Sequence, residues 1–154
     1  MSSCRATNGE AREGMLGLLA DVTAFHKACG QPVLDRPAVP SRERIELRAR
    51  LILEEAQEVD EAFAWVVVAQ HNDHPPNLAP LAKELADLIY VCAGTALEFG
   101  IPLDRVWQEV QRSNMAKAGP NGEVVFDANG KVTKPEGWTP PDIRGAICGD
   151  NNAD

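Results

Sequence analysis

Apolar residues recur every three to four positions along four segments of this chain, which is the spacing of an amphipathic α-helix. The first segment spans 12–29 and ends before the helix-stopping Gly30. A proline-rich loop covers 31–40. Ser41 then has the residue type of an N-cap, and it opens a second helix that continues to about Gln70.

Two more helices are predicted before the texture of the chain changes. The third begins at Asn77, which has the residue type of an N-cap, and ends near Phe99. The fourth covers about 103–116. In the last quarter of the chain, two short apolar runs flank Asn129-Gly130, which is a hairpin turn signal, and the remainder is rich in proline and glycine.

These elements predict an all-α fold. We expect a helical bundle of about four core helices, followed by a short C-terminal hairpin and an irregular tail. A chain of 154 residues fits one domain, placed here at 11–147, with flexible ends at 1–10 and 148–154. The apolar faces are broad for so small a bundle, so we also expect a homodimer or a dimer of dimers.

Charge and composition exclude several classes of partner. The chain has 15 basic and 23 acidic residues, a net charge of −8, and a pI near 4.9, which argues against binding nucleic acid. A nucleotide stays possible because a bound divalent cation reverses the local field. The polar N-terminus does not resemble a signal peptide, and no apolar run is long enough to span a membrane. We expect a cytoplasmic protein, with Cys29 and Cys92 as reduced core residues.

Five acidic residues form two clusters inside the predicted helices. Glu54, Glu55 and Glu58 read E-E-x-x-E, and after 25 residues Glu84 and Asp87 read E-x-x-D. At about 100° per residue, Glu58 and Glu55 fall about 40° and about 100° from Glu54, and so point with the apolar stripe. A half-buried carboxylate is costly unless it is paired or bound to a metal, so the clusters predict a cation site.

The spacing of the acids suggests how they share a cation. Glu54 and Glu58 lie one helical turn apart and can hold one ion, with Glu84 and Asp87 as the opposite wall. Glu55 is offset, and it either binds a second ion or takes a proton from water. Carboxylate oxygens favour hard cations such as Mg²⁺ or Mn²⁺.

The sequence resembles the MazG-like all-α nucleotide pyrophosphohydrolases, whose signature is E-E-x-x-E followed by E-x-x-D. The resemblance covers roughly 25–147 and is closest to the short stand-alone members described as MazG/HisE-like. The matching segments are Phe25-His26, Gly30 to Pro32, Leu47 to Glu58, Lys83 to Tyr90, Gly94, Gly100 to Asp104, Ser113 to Lys117, and Lys134 to Trp138.

The resemblance implies roles for the five acids. Glu55 would be the general base and a possible metal ligand, and the other four would be ligands of Mg²⁺, with Mn²⁺ as a possible substitute. It also implies that Asn114 and Lys117 contact the phosphate or sugar of a substrate, although Lys117 has the alternative of a solvated lysine at a helix end.

There are four other candidate substrate-binding residues, and three of them have a structural alternative. Trp138, which shares the tail with Lys134, either stacks on a base or anchors the tail. Arg48 either binds phosphate or holds the acids in place, and we favour the structural role. His26 lies beside the core stripe of the first helix, which is more typical of a satisfied core residue than of a ligand.

The family resemblance implies Mg²⁺-dependent hydrolysis of a nucleoside triphosphate to monophosphate and pyrophosphate by a homodimeric enzyme. We favour purine deoxynucleotides, dGTP or dATP, with dUTP as the alternative. Cleavage of phosphoribosyl-ATP ranks lower, because Phe25-His26 and the Gly137-Trp138 segment are not typical of that branch.

Two other classes of protein also place carboxylates on helices. A ferritin-like redox site requires E-x-x-H on two helices, and none of the three histidines follows a glutamate by three residues. A non-enzymatic metal-binding helical dimer, whose acids hold a basic partner, predicts exposed acids instead of acids on the apolar stripe.

Overall fold

The computed structural model describes residues 8–72, 74–119 and 122–149. Within this part of the chain the regular elements are helices: α1 Asn8–Ala28, α2 Arg42–His71, α3 Ala79–Glu98, α4 Leu103–Met115 and α5 Ile143–Cys148. The chain divides into two compact units, one comprising Gly17–Ile101 and the other Met1–Leu16 with Pro102–Asp154. The first is called the hairpin unit below, and the second the C-terminal unit.

Local signals in the sequence set the limits of the two long helices of the hairpin unit. The Ser41 side chain accepts a hydrogen bond from the backbone N–H of Arg44 at 3.4 Å and so caps α2. The Asn77 side chain accepts one from Ala79 N–H at 3.1 Å, just ahead of α3. Seven residues join the two helices, which therefore pack against each other as an antiparallel pair.

The core of the hairpin unit is made of small residues. Val22 of α1, Ala62 of α2, and Ala93 and Ala96 of α3 are its buried apolar side chains. Gly94 lies beside them, and a Cβ on it would stand only 2.6 Å from His26 Nε2. Small side chains let the helix backbones approach closely, which brings side chains on α2 within reach of those on α3.

A buried ion-pair network crosses the same helix pair. The carboxylate of Glu98, 1% exposed, accepts hydrogen bonds from Arg44 at 3.0 and 2.5 Å and from Arg48 at 3.5 Å. Arg48 also donates to Thr95 Oγ1 and to the backbone carbonyl of Val91. A buried charge is tolerated when it is paired and hydrogen-bonded, as Glu98 is.

The C-terminal unit packs α5 against α4 through polar contacts. Glu109 and Arg112 on α4 form an ion pair at 2.7 Å, and Glu109 also accepts the backbone N–H of Asp142 at 2.8 Å. Arg112 in turn donates to the carbonyl of Pro140 at 3.2 Å. The side chain of Asp142 caps α5 by accepting from Gly145 N–H at 2.9 Å.

The all-α prediction is confirmed. The predicted bounds of the second, third and fourth helices agree with α2, α3 and α4 to within two residues. In place of the predicted hairpin, the structure has one antiparallel bridge, between Phe126 and Val132, around the turn at Asn129-Gly130. Among the described residues, no single helix is long and apolar enough to cross a membrane, and only α3 and α4 taken together meet that test of length and composition.

Other expectations need correction. α1 begins at Asn8, so three residues of the segment predicted to be flexible are helical, and the rest of that segment lies outside the described residues, as does most of 148–154. α5 was not predicted, because six residues are too few to show a helical period. Cys29 and Cys92 are exposed instead of buried. Cys29 follows the end of α1, where the chain leaves the helix.

Candidate active site

Three of the predicted metal ligands converge between α2 and α3. Carboxylate oxygens of Glu55, Glu58 and Glu84 all lie within 4.8 Å of one another. Glu55 and Glu84 are half-buried and Glu58 is exposed, so the cluster is open to solvent on one side. Because Glu55 and Glu58 come from one helix and Glu84 from its antiparallel partner, the packing of α2 on α3 alone assembles the group.

Asp87 is joined to this cluster through a lysine. The Lys83 ammonium donates to Glu84 Oε2 at 2.8 Å and to Asp87 Oδ2 at 2.8 Å, and thus bridges the two acids of the E-x-x-D pair. Hydrogen bonds to both carboxylates raise the pKa of Lys83 above its usual range. Sequence reasoning gave Lys83 no role, because a lysine beside an acid is common on solvated helices.

Repulsion within the cluster is visible at Glu58. A hydrogen bond shared with Glu84, and then the negative charge of Glu84, raise the pKa of Glu58 above its usual value, with a further contribution from Glu55. Carboxyl groups held close together without enough positive charge resist ionisation. A divalent cation supplies that missing charge, and carboxylate oxygens are the donors Mg²⁺ and Mn²⁺ prefer, so these residues fit the cation that the sequence predicts.

Glu54 stands apart from the group of three. Its side chain is exposed on α2, one residue before Glu55, and a step of about 100° around the helix turns it away from α3. The exposure of Glu54 and Glu58 differs from the expected burial on the apolar stripe. Only the part of the stripe at the angle of Glu55 around α2 faces α3. The apolar residues on both sides of that angle are exposed.

Arg48 and His26 lie in the interior of the hairpin unit. Arg48 makes its hydrogen bonds to Val91, Thr95 and Glu98, and burial lowers the pKa of its guanidinium. His26 is 4% exposed, with Nδ1 at 3.3 Å from the carbonyl oxygen of Pro32. These contacts favour the structural interpretation of both residues, although Arg48 pairs with Glu98 and not with the acids expected.

The other four candidates for substrate binding meet at the end of α4 in the C-terminal unit. Lys117 donates to Asn114 Oδ1 at 2.8 Å. The Trp138 indole N–H donates to the carbonyl of Ser113 at 2.8 Å, and the Lys134 ammonium lies 4.2 Å from the centre of the Trp138 ring. Trp138 therefore anchors the tail to α4, and one of its faces is covered by a cation–π contact.

An exposed tryptophan on α2 was not singled out by sequence reasoning. Trp65 is 73% exposed, and it falls at an angle on α2 between Glu54 and Glu58, about two turns beyond Glu58. In the sequence, Trp65 falls at helical spacing with the apolar residues of α2, so the pattern does not distinguish it from a core residue. An open aromatic ring on the flank that carries the acids has the chemistry of a base-stacking surface.

Carboxylates from an antiparallel helix pair thus form an oxygen-rich cluster with the donor atoms of a divalent-cation site. Residues 22–114 match the family of phosphoribosyl-ATP pyrophosphohydrolases. Since the match covers more than half of the chain, the protein belongs to this family, which is part of the MazG-like all-α nucleoside triphosphate pyrophosphohydrolase superfamily. A search of curated proteins gave no match.

Membership makes the chain a pyrophosphohydrolase, a hydrolase acting on phosphoric anhydrides. The resemblance expected from the acid signature is thus confirmed, and the non-enzymatic interpretation is not supported. The match includes α2, α3 and the three converging acids, together with Asn114 at its last position. It ends before Lys117, Lys134, Trp138 and α5, so the tail contacts lie outside the matched segment.

Proposed function

We propose that the protein hydrolyses a purine nucleotide that carries a triphosphate, releasing pyrophosphate and leaving the monophosphate, in a reaction that requires Mg²⁺. The observation that carries the proposal is the convergence of Glu55, Glu58 and Glu84 within 4.8 Å, inside the segment that matches the family. The family is metal-dependent in general, which agrees with this donor set.

Glu58, Glu84 and Asp87 would hold the cation, with Glu54 as a further carboxylate at the exposed edge. A divalent cation bound there would neutralise phosphate charge and activate the attacking water. Holding these like charges together without a cation is unfavourable, as the raised pKa of Glu58 indicates. The acids are therefore arranged for the loaded state.

Glu55 is the residue suited to act as general base. It is half-buried, it belongs to the same group of oxygens, and it lies about 60° around α2 from Glu58. Its carboxylate would take the proton of the water that attacks the phosphorus. The bond from phosphorus to the bridging oxygen then breaks, and pyrophosphate leaves with the electron pair.

The candidate substrates are of three kinds: purine deoxynucleotides, dUTP and phosphoribosyl-ATP. We favour the purine deoxynucleotides dGTP and dATP, with dUTP as the alternative base. The family description names phosphoribosyl-ATP, which sequence reasoning ranked lower, and this raises it to the second candidate. Both preferred candidates carry a purine and a triphosphate, so the exposed Trp65 ring would suit either as a stacking surface.

The residues at the end of α4 are proposed to contact the substrate outside the metal site. Lys117 and Lys134 supply positive charge in an otherwise acidic protein, and Asn114 supplies an amide. In this arrangement Trp138 serves mainly to hold Lys134 in place, because its indole N–H is already engaged with Ser113.

A homodimer or a dimer of dimers is the assembly we propose. The hairpin unit exposes large apolar side chains on both helices, including Leu53 at 69%, Phe63 at 49%, Val67 at 63% and Ile89 at 52%. Monomers rarely leave such surface uncovered. A second copy would cover it, and light scattering should show a species larger than one 16.7 kDa chain at micromolar concentration.

The proposed setting is the cytoplasm, with a nucleotide as the partner and with no nucleic acid or membrane. Three exposed free cysteines agree with a reducing compartment. The net charge of −8 opposes binding to a polyanion that lacks its own metal.

The test is a screen for pyrophosphate release. The common nucleoside triphosphates, their deoxy forms and phosphoribosyl-ATP are each incubated with the protein and Mg²⁺, and the products are separated by ion exchange. We expect monophosphate and pyrophosphate, loss of the reaction in excess EDTA, and recovery with Mg²⁺ or Mn²⁺. Diphosphate with orthophosphate as products would reject the assignment of the bond, and full activity in EDTA would reject the metal.

A further inference from the structure

The Lys83 ammonium lies between the carboxylates of Glu84 and Asp87 and supplies positive charge to both. It donates at 2.8 Å to Glu84 and at 2.8 Å to Asp87, and among the described residues it is the cation bonded to these two acids. The Glu84 side chain is 16% exposed and that of Asp87 is 43% exposed, whereas Lys83 is 63% exposed. The lysine therefore bridges the pair from the solvent side, and its flexible stem leaves it free to move.

Lys83 bonds two carboxylates that the proposed function assigns as metal ligands. Glu84 also belongs to the group with Glu55 and Glu58, and Asp87 completes the E-x-x-D pair. An ammonium ion within hydrogen-bond distance of both carboxylates repels a divalent cation approaching the same oxygens. Lys83 and the metal must therefore compete for Glu84 and Asp87.

We propose that Lys83 is an exchangeable internal cation, which holds Glu84 and Asp87 in the resting enzyme and moves to the triphosphate of the substrate when the metal and nucleotide bind. The inference rests on the proposed function, because it requires a divalent cation at these acids. It assigns a substrate-binding role to a residue adjacent to the metal ligands.

The charges favour this exchange. A nucleoside triphosphate brings several negative charges to a site whose own acids are then neutralised by the metal. An ammonium released from Glu84 and Asp87 stays within the reach of one lysine side chain from them, and phosphate oxygens are strong partners for it. The lysine thus keeps a carboxylate-rich site from repelling itself when empty, and adds positive charge for the phosphates when the site is filled.

Opposite changes in metal affinity and nucleotide affinity test the proposal. Lys83→Met keeps the length of the stem and removes the charge. Titration with Mn²⁺ in the absence of nucleotide, followed by electron paramagnetic resonance, should show binding roughly 3- to 10-fold tighter than in the wild type. At saturating metal, the KM for the nucleotide should rise at least about fivefold, because the phosphates lose a contact.

Two variants separate this role from a general effect of charge. Arg42→Gln removes one positive charge from an exposed ion pair in the first turn of α2 and should change the Mn²⁺ affinity less than about twofold. Lys83→Arg keeps the charge and should return the Mn²⁺ affinity close to that of the wild type. Circular dichroism melts check that all three variants are folded at the titration temperature.

The outcomes divide cleanly between the two claims. If the wild type binds no Mn²⁺, the proposed function fails and the role of Lys83 fails with it. If the wild type binds Mn²⁺ and Lys83→Met binds it equally or more weakly, the exchange alone is overturned. Tighter binding of Mn²⁺ with an unchanged KM also overturns the proposal, because the lysine then has no role toward the substrate.

Discussion

The hairpin unit and the C-terminal unit use charged residues in different ways. In the hairpin unit, Glu98 is buried and fully paired with two arginines, while the three acids of the cluster stand close together with too little positive charge. In the C-terminal unit, the Glu109–Arg112 pair is partly exposed and its remaining hydrogen bonds hold neighbouring segments of backbone.

The difference shows which carboxylates are able to bind a ligand. A carboxylate whose hydrogen bonds are satisfied by protein groups, such as Glu98 or Glu109, has little capacity left for a ligand. A carboxylate held near other carboxylates retains that capacity. The buried pairs join α2 to α3, and the packing of these two helices holds the three acids close together.

The largest effect expected is on catalysis, from Glu58→Gln. Loss of one charge from the cluster should lower the rate of pyrophosphate release at least about a hundredfold, because the metal loses a ligand. Glu61→Gln, an exposed acid on the same helix that accepts a hydrogen bond from Gln57, is the matched control and should keep near-wild-type activity. Near-wild-type rates for Glu58→Gln at low Mg²⁺ would remove this residue from the ligand set.

The same variant should not destabilise the metal-free protein. The folded state raises the pKa of Glu58 above 4.5, so its contribution to stability is fully present below pH 4.5 and is lost as the pH rises through the folded value. A glutamine at position 58 does not ionise, so the variant does not lose this stability as the pH rises. The Tm of Glu58→Gln relative to the wild type should therefore be higher at pH 7 than at pH 4, as measured by calorimetry in EDTA.

Arg48→Met tests the buried ion-pair network between α2 and α3 and leaves the acid cluster unchanged. Removing one partner of the buried network leaves Glu98 with less compensation, so the free energy of unfolding should fall by about 3 kcal/mol. Arg50→Met, at an exposed position on the same helix, should leave the denaturation midpoint in urea nearly unchanged. Equal stability of the two variants would show that the network does not hold α2 against α3.

Trp65→Ala tests the proposed stacking surface at the edge of the hairpin unit. Stacking of a base on an aromatic ring is worth about 1–3 kcal/mol, so the KM should rise roughly 5- to 160-fold with little change in kcat. Trp107→Ala, which removes a half-exposed tryptophan from α4, is the control for loss of an indole. An unchanged KM for Trp65→Ala would remove Trp65 from the binding surface.

The smallest effect concerns the polar contacts of the C-terminal unit. A hydrogen bond from Arg112, and then the N–H of Asp142, lower the pKa of Glu109 to about 2. Its contribution to stability is present above the ordinary value of 4.5 and is lost as the pH falls toward 2. Between pH 5 and pH 2, the Tm of the wild type should fall slightly more than that of Glu109→Gln, because the variant has no carboxylate to protonate. Parallel curves would contradict this assignment.

Sequence patterns predicted the frame of the site better than its contacts. The limits of α2 and α3 follow from local signals such as Ser41 and Asn77, and those are legible in one chain. The acids were expected to converge, but which of them meet depends on the register of α2 against α3. That register is set by packing around Gly94 and by the buried Glu98. The residues that these two contact cannot be predicted from the sequence of one chain.

The C-terminal unit was harder to predict for a different reason. α5 has six residues, too few to establish a period, although Asp142 after two prolines was a usable N-cap signal. The choice between stacking and anchoring for Trp138 depended on whether its indole N–H found a partner nearby. The carbonyl of Ser113 supplies that partner, and its position follows from where α4 ends.

All three converging acids belong to one pair of consecutive helices, and this has a consequence for biogenesis. Contacts between neighbouring segments form early and quickly, so we expect α2 and α3 to pair while the remainder of the chain is still being synthesised. During that interval, a divalent cation that binds the paired helices as proposed would favour their folded form by mass action, and it would then act as a folding ligand as well.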